Sequence, residues 1–342
     1  MKFFMMVVFL LYSSFSFSKS SDFMVGVGIH PTSYSLDSTQ LTELLKKYKI
    51  QITRYDYPWS QVELKKGIYT VPNKKLDELV TIADSNNIET ILILGSKNKL
   101  YGDERPVTEE ERQAFANYAA WVAERFKGKK VIYEIWNEWP YGAKNQNFDP
   151  AGKLSAQLYV KLVASASTAI LAKDPGAKII AGSLNPLNKG YSSWTDNIFK
   201  LNILKYINGF SIHPYNYQND TIAQPQYNID VLDALQDRLK KITGVSTYIP
   251  FYVTEFGYPD YNGGVYFSPS QRKEFIENYF VSLSQKPFVK SALWYDFIND
   301  GDDKNIKEFN FGLLDSSYHE KSDMIGFLSA INIIQQNINN GN

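Results

Sequence analysis

The feature that most constrains the fold is a regular alternation of short apolar runs with amphipathic stretches, which continues from Val25 to the end of the chain. The runs are rich in Val, Ile and Leu, a pattern typical of strands that are covered on both faces. They predict strands at 25–31, 51–59, 89–95, 131–138, 178–184, 209–215, 251–257 and 291–297. Helical periodicity predicts helices near 38–48, 73–86, 108–126, 151–173, 194–206, 228–243, 269–285 and 322–337. Eight such βα units predict an α/β fold, a single (β/α)8 TIM barrel.

A doubly wound open sheet is the main alternative fold. That fold places a glycine-rich phosphate loop after its first strand. The first predicted strand, VGVGIHP at 25–31, has its glycines inside the strand and a proline after it, which argues against the open sheet. No internal repeat, low-complexity linker or domain break is found in the sequence, so we expect one barrel domain over residues 21–342.

The first twenty residues, MKFFMMVVFLLYSSFSFSKS, have the layout of a secretory signal peptide: a lysine, an apolar stretch and then small residues. The apolar stretch is too short to span a bilayer comfortably, and an uncleaved anchor is the alternative. The chain has no cysteine, so it has neither disulfides nor thiolate chemistry. Export without disulfides fits a bacterial envelope. We expect a secreted or periplasmic protein with no membrane contact after removal of residues 1–20.

Charge and histidine content argue against two classes of function. The chain has 36 basic and 36 acidic side chains, so it lacks the positive field that holds nucleic acid. Its three histidines, His30, His213 and His319, show no HxH or HExxH spacing, so we expect no metal and no cofactor. A metal-dependent hydrolase on the same barrel is the alternative enzyme. We expect the protein to be a monomer.

Polar and aromatic side chains occur where several predicted strands end. They are Arg54 on the second strand, Asn137 and Glu138 on the fourth, His213 and Tyr215 on the sixth, Glu255 on the seventh and Trp294 on the eighth. In a barrel the carboxyl ends of all strands surround one shallow bowl, so these residues converge there. Glu138 and Glu255 are therefore expected to be neighbours despite their distance in sequence.

Strand alternation supports this choice. Glu134, Trp136 and Glu138 share one strand parity, and Phe251, Val253 and Glu255 share another. If Glu138 and Glu255 face inward, Glu134 also faces inward. A carboxylate inside a barrel needs a partner, and Arg54 is the candidate.

Two carboxyl groups across a cleft are the minimum machinery for breaking a glycosidic bond. One donates a proton to the leaving oxygen, and the other meets the positive charge that develops at the anomeric carbon. An ionised Glu255, held by Arg54, is expected to raise the pKa of Glu138 and keep it protonated. Asn137 is then placed to bind the sugar hydroxyl beside the reacting centre.

The motifs WNE at 136–138, HPY at 213–215, TEFG at 254–257 and the late Trp294 resemble those of the retaining glycoside hydrolases of the large (β/α)8 clan. Within the clan, family 39 is most similar and family 5 is next. The resemblance implies that Glu138 is the acid/base and Glu255 the nucleophile. It also implies that Asn137 binds a hydroxyl of the substrate. Arg54, His213, Tyr215 and Trp294 would form the supporting shell, and we count these four with Asn137 as predicted substrate-binding residues. Larger family 39 members carry a β-sandwich, and we expect none here, as in barrel-only bacterial members that resemble enzymes acting on exopolysaccharide.

The sequence departs from the clan pattern after the acid/base, where Trp139 precedes Pro140. We expect Trp139 to flank a sugar subsite. Other loop aromatics, half of which are expected to pack internally, predict an extended groove for an oligo- or polysaccharide; they are Tyr57, Trp59, Tyr141, Tyr217, Tyr258, Tyr261 and Tyr266. A transglycosylase on the same site and a non-catalytic glycan-binding barrel are the alternative functions.

Overall fold

The protein is a closed parallel β-barrel surrounded by helices. The structure, a computed structural model, describes residues 23–95, 97–102, 104–141, 148–217, 225–263 and 266–340. The strands within these ranges are β1 (Met24–Gly28), β2 (Ile52–Asp56), β3 (Glu63–Lys65), β4 (Ile68–Tyr69), β5 (Glu89–Leu94), β6 (Val131–Ile135), β7 (Lys178–Leu184), β8 (Gly209–Ile212), β9 (Phe251–Phe256) and β10 (Val289–Trp294). The barrel order is β1-β10-β9-β8-β7-β6-β5-β2, and β1 closes the ring by pairing with both β10 and β2. The predicted (β/α)8 barrel is confirmed.

Helices follow the barrel strands along the chain. The α-helices in the described residues are α1 (Ser38–Lys47), α2 (Trp59–Val62), α3 (Lys74–Ser85), α4 (Glu109–Arg125), α5 (Lys153–Lys173), α6 (Ser192–Lys200), α7 (Pro225–Thr243), α8 (Pro269–Ser284) and α9 (Ser322–Asn339). The eight long helices coincide with the eight predicted ones to within a few residues, except that α6 ends several residues early. No β-sandwich is present in the part of the chain that the structure describes. The predicted signal peptide, residues 1–20, lies outside that part.

Several helix starts are encoded locally. Thr108 caps α4 by accepting a hydrogen bond from the Glu111 backbone, while the Glu111 side chain accepts one from the Thr108 backbone. Ser268 caps α8 in the same way, and Pro269 occupies its first turn. Helix α5 is long and apolar enough by length and composition to cross a membrane, but half of that stretch is buried inside the protein. We therefore interpret α5 as one of the helices that pack around the barrel.

The strands β3 and β4 were not predicted, and neither was the short helix α2 that precedes them. The strands β3 and β4 form an antiparallel hairpin between the second barrel strand and the second long helix. Its turn depends on Gly67, which has a left-handed φ of 74° and donates its N–H to Glu63. Leu64 and Ile68 are exposed, so the hairpin lacks the buried alternating face by which sequence patterns reveal strands.

The barrel interior is layered. Its lower layer is an apolar cluster, which consists of Ile52, Ile91, Ile132, Ile180, Tyr252 and Leu293. Above it lies a buried polar layer around Arg54 and Glu134. The mouth of the barrel, at the carboxyl ends of the strands, opens above this polar layer. The interior therefore changes from apolar to charged toward the end where TIM-barrel enzymes place their chemistry.

Candidate active site

Arg54, on β2, is the organising residue of the mouth. Its side chain is only 3% exposed and donates to three acceptors. Nε bonds Glu134 Oε2 at 2.5 Å, Nη1 bonds Glu255 Oε1 at 2.6 Å and Nη2 bonds Asn137 Oδ1 at 2.8 Å. The predicted pairing of Glu134 with Arg54 is confirmed. One guanidinium on β2 thus fixes the orientation of two carboxylates and one amide, which lie on β6 with its extension and on β9.

Glu134, on β6, is a fully buried anion below the mouth. Its second oxygen accepts hydrogen bonds from Ser183 Oγ at 2.6 Å and from Thr254 Oγ1 at 3.3 Å. Burial raises the pKa of Glu134, but the charges of Arg54 and His213 and the Ser183 hydrogen bond outweigh burial and leave that pKa below its ordinary value. Glu134 is therefore ionised and holds Arg54 in place from beneath.

Glu255 reaches the mouth through a β-bulge. Ala292 and Trp294 on β10 pair with Val253 and Phe256 on β9, so β9 carries one extra residue at this point. Phe251 and Val253 belong to the core outside the barrel wall, whereas Tyr252 belongs to the interior cluster. The expectation that 251, 253 and 255 share the inner face is wrong for the first two. The bulge lets Thr254 and Glu255 both point inward.

The Glu255 carboxylate is held by three groups. Besides Arg54 on Oε1, it accepts the Tyr215 hydroxyl on Oε2 at 2.8 Å, and His213 Nδ1 lies 3.6 Å from the same oxygen. Burial raises the pKa of Glu255, but His213, Arg54 and the Tyr215 hydrogen bond together lower it below its ordinary value. Only 12% of the side chain is exposed, so an ionised oxygen faces the cleft with little water around it.

Glu138 lies opposite, beyond the end of β6. The strand ends at Ile135 rather than at 138 as predicted, because Trp136 and Glu138 have left-handed φ values of 60° and 50°. This turn raises Glu138 above the barrel wall with 37% of its side chain exposed. Trp136 turns away and packs against Phe115 on α4, so it does not share the inward parity predicted for it.

The two carboxylates are close neighbours. Glu138 Oε1 lies 3.2 Å from His213 Nδ1, and one oxygen of each glutamate lies within 4.8 Å of the other and of a His213 nitrogen. This spacing would also suit a metal ion, but the Arg54 guanidinium 2.6 Å from Glu255 disfavours a second cation there. Asn137 lies beside the pair and lines the cleft; because its carbonyl oxygen accepts from Arg54, its amide N–H groups are left as donors toward a ligand.

The carboxylates open into a cleft of about 400 Å³, a size typical of small-molecule sites. Its lining is Asn137, Glu138, Tyr141, Asn185, Asn188, Tyr215, Tyr217, Glu255, Tyr295, Glu308 and Phe311. Tyr141 and Tyr217 were expected near the groove. Asn185, Asn188, Tyr295, Glu308 and Phe311 were not predicted, although Tyr295 directly follows the predicted strand-end residue Trp294. Asn185 likewise directly follows the strand predicted at 178–184, whereas Asn188, Glu308 and Phe311 lie farther along the loops, without a strand-end signal.

Two predicted substrate contacts are wrong. Trp139 is fully buried: its indole N–H donates to Ser155 Oγ at 2.9 Å, and its ring packs against Trp136 and Tyr159. Trp294 is also fully buried and donates its indole N–H to the Phe311 carbonyl at 3.0 Å. Neither ring lines the cleft, and each indole N–H is satisfied inside the protein.

Other predicted contacts play a supporting part. Arg54 and His213 are buried and contact the carboxylates, so neither presents a free surface to a ligand. Tyr57, Trp59 and Tyr258 are also buried, whereas Tyr266 is 82% exposed. Of the predicted substrate-binding residues, Asn137 and Tyr215 are therefore the ones that line the cleft.

Comparison with known proteins places this geometry in a family context. The model of the cellulase family, described as glycosyl hydrolase family 5, matches residues 21–296. No curated protein matches the chain. The fold is similar to a family 39 glycoside hydrolase from the gut symbiont Bacteroides cellulosilyticus WH2, with 21% identity and a TM-score of 0.71 over 90% of this chain. This chain spans 63% of the length of that protein.

Two further solved structures have the same fold. Xylanase 10B from Thermotoga maritima is 17% identical, with a TM-score of 0.68 over 93% of this chain and 97% of that chain. GH5_18 from Streptomyces cattleya, in complex with GlcNAc, is 13% identical, with a TM-score of 0.71 over 91% of this chain and 80% of that chain. The clan resemblance is confirmed, and the matching family model is that of family 5, the second of the two families named from the motifs.

Proposed function

The chain belongs to the cellulase family, glycosyl hydrolase family 5, and from its site we propose that it cleaves an oligo- or polysaccharide with retention of anomeric configuration. The observation that carries the proposal is the pairing of Glu138 with Glu255, whose nearest oxygens lie within 4.8 Å. Retaining enzymes place their carboxyl groups about 5–5.5 Å apart, and inverting enzymes leave about 6.5–9.5 Å for a water. The spacing here supports the retaining arrangement.

We assign the nucleophile to Glu255. Its lowered pKa keeps it ionised, and Arg54 and Tyr215 each donate to one of its oxygens and so fix its position. Glu138 is more exposed and has no arginine partner among the described residues, which suits a group that must gain and lose a proton. The difference in environment separates the two roles.

In the first step a Glu255 oxygen attacks the anomeric carbon while Glu138 gives its proton to the glycosidic oxygen. The bond to the leaving sugar breaks, and a glycosyl ester forms on Glu255. In the second step Glu138, now a carboxylate, takes a proton from water, and the water oxygen attacks the anomeric carbon. The ester bond breaks and Glu255 returns to its ionised form, so both residues end as they began.

The cleft supports a sugar substrate. Asn137 offers an amide donor beside the pair, and the rings of Tyr141, Tyr217 and Tyr295 provide flat apolar faces on its walls. The signal-like segment at 1–20 supports export, so we place the substrate outside the cytoplasm, in an extracellular or envelope polysaccharide.

The proposal is tested by comparing the hydrolytic activity of wild type with that of the Glu255→Gln variant. Purified wild type is incubated with a panel of plant and bacterial polysaccharides, and released reducing ends are measured. We expect Glu255→Gln to lose at least about 10³-fold in rate. Glu308 is the matched control, a cleft carboxylate that pairs with Lys307, and Glu308→Gln should keep most of the wild-type rate. Products longer than the substrate would identify transglycosylation. Equal activity of Glu255→Gln and wild type would reject the assignment.

A further inference from the structure

A second cluster of ligand-type side chains lies at the same end of the barrel, outside the catalytic pair. His30 follows β1, and Asp296 and Asp300 follow β10. His30 Nδ1 lies 2.7 Å from Asp300 Oδ1 and 3.8 Å from Asp296 Oδ2. One ligand atom from each residue lies within 4.8 Å of the other two. The cluster joins the first strand to the loop after the last one.

Asp296 is the unusual member of the cluster. Its side chain is 1% exposed, and neither carboxylate oxygen has a hydrogen-bond partner among the described residues. Lys321 is another basic side chain close enough to act on Asp296, but its Nζ donates to Asn299 Oδ1 and the Asn310 carbonyl instead. A buried carboxylate that accepts no hydrogen bond is costly, so such groups are normally paired or bind a metal.

The spacing of the three groups fits one cation. Two ligands at about 2.1 Å from a metal lie about 3.0 Å apart in octahedral geometry and about 3.4 Å apart in tetrahedral geometry. The separations of 2.7 and 3.8 Å between His30 Nδ1 and the two carboxylates bracket these values. We propose that His30, Asp296 and Asp300 form a binding site for a divalent cation.

The ligand set indicates the kind of cation. One imidazole with two carboxylates favours a transition-metal ion that accepts both nitrogen and oxygen ligands, such as Zn²⁺ or Mn²⁺, over Ca²⁺, which prefers an all-oxygen shell of six to eight ligands. Asp300 is 21% exposed and His30 is 30% exposed, so an ion can enter from solvent and complete its shell with water. Asp296 supplies the buried anchor from within.

The proposed cation site lies next to a residue that lines the catalytic cleft. The His30 ring packs edge-on against Tyr295, with centroids 5.7 Å apart, and Tyr295 lines the cleft. A cation bound by His30 and the two aspartates would connect the loop after β1 to the loop after β10, which carries Tyr295. It contacts neither Glu138 nor Glu255, so the inference stands independently of the proposed function.

Calorimetric titration with Zn²⁺ or Mn²⁺ tests the site on full-length protein freed of metal by a chelator. We expect one cation per chain, and an affinity at least about 10-fold weaker in Asp300→Asn and in His30→Gln. Two controls are matched. His319→Gln removes another His–Asp pair, with Nδ1 and Oδ2 3.2 Å apart, and Glu255→Gln alters the other cluster of His and carboxylates. Both should bind as wild type does.

Thermal melting gives a second readout. At about 100 times the wild-type dissociation constant, metal should raise the Tm of wild type by about 4 °C and that of Asp300→Asn by no more than about half as much. Wild-type binding no tighter than that of Asp300→Asn, or binding lost only in His319→Gln or Glu255→Gln, would overturn the site. The cluster would then be an imidazolium shared by two carboxylates.

Discussion

At position 54 a single side chain connects the buried base of the site to its reacting surface. Arg54 has three donors pointing in the directions of Glu134, Glu255 and Asn137, a fan that the planar guanidinium provides and a lysine ammonium does not. Removing one member of such a buried network leaves an uncompensated charge. The site and the stability of the fold therefore depend on the same residue.

Replacing Arg54 by Met should lower the free energy of unfolding at pH 7 by about 3–5 kcal/mol, because Glu134 stays buried without its partner. The control Lys46→Met removes an exposed pair with Glu43 and should cost less than about 1 kcal/mol. Urea unfolding measures both. Equal losses in the two variants would contradict the role given to Arg54.

The difference in unfolding free energy between wild type and Arg54→Met, measured by urea unfolding, should depend on pH. The folded-state pKa values of Glu134 and Glu255 lie below the ordinary value of 4.5. Their stabilisation is therefore fully present above that pH and is lost as the pH falls through the lowered values. The stability gap between wild type and Arg54→Met should narrow on acidification.

Replacing Tyr215 by Phe should move the acid limb of the kcat/KM profile to higher pH. The hydroxyl donates to Glu255 and is one of the groups that lower its pKa, so without it the nucleophile protonates at a higher pH. Tyr217→Phe is the control, because the Tyr217 hydroxyl bonds Lys307 instead. An acid limb that is the same in Tyr215→Phe and wild type would show that this hydrogen bond does not tune Glu255.

The sequence was sufficient to predict a site residue where a buried charge needs a partner of opposite charge. It was not sufficient to decide which of two adjacent aromatic residues lines the cleft. A carboxylate predicted inside the barrel required a cation, and Arg54 was the available one. Whether Trp294 or Tyr295 lines the cleft depends on the residue at which β10 ends. The buried indole of Trp294 bonds the Phe311 carbonyl, a contact between distant loops that no local pattern reveals.

At the scale of elements, the ends of strands decide the site. The apolar runs located all eight barrel strands, because burial on both faces leaves a clear pattern. Alternation failed at their ends: the left-handed residues after β6 and the bulge in β9 both break the two-residue period. The bulge depends on pairing with β10 and is therefore a property of two segments far apart in sequence.

The buried Trp139 side chain anchors the segment that follows β6 to the interior of the protein. Replacing Trp139 by Ala should lower the free energy of unfolding by about 3–5 kcal/mol, because a buried ring that contacts Trp136 and Tyr159 is lost. Activity should fall equally on long and short oligosaccharides, since the ring lies outside the cleft. The 82% exposed Tyr266, changed to Ala, is the stability control. A loss confined to long substrates would restore Trp139 as a subsite.

At the scale of the whole molecule, the barrel is what makes the site possible. Arg54, Glu134, Glu138, His213 and Glu255 are spread over about two hundred positions, and closure of the sheet brings them within hydrogen-bonding reach. The apolar lower layer closes the barrel from below, so these charges open to one face only. The sequence predicted this convergence because the carboxyl ends of barrel strands always share one end. No such rule holds for the loops, so Asn188, Glu308 and Phe311, which they bring to the cleft, were not predicted.

The most direct test of the central claim is the anomeric configuration of the first product, followed by proton NMR before mutarotation sets in. A nucleophilic Glu255 within 4.8 Å of Glu138 acts by two displacements, so we predict that the newly formed reducing end keeps the configuration of the bond that was cleaved. A product that first appears with the opposite configuration would mean that water attacks directly, and it would contradict the role assigned to Glu255.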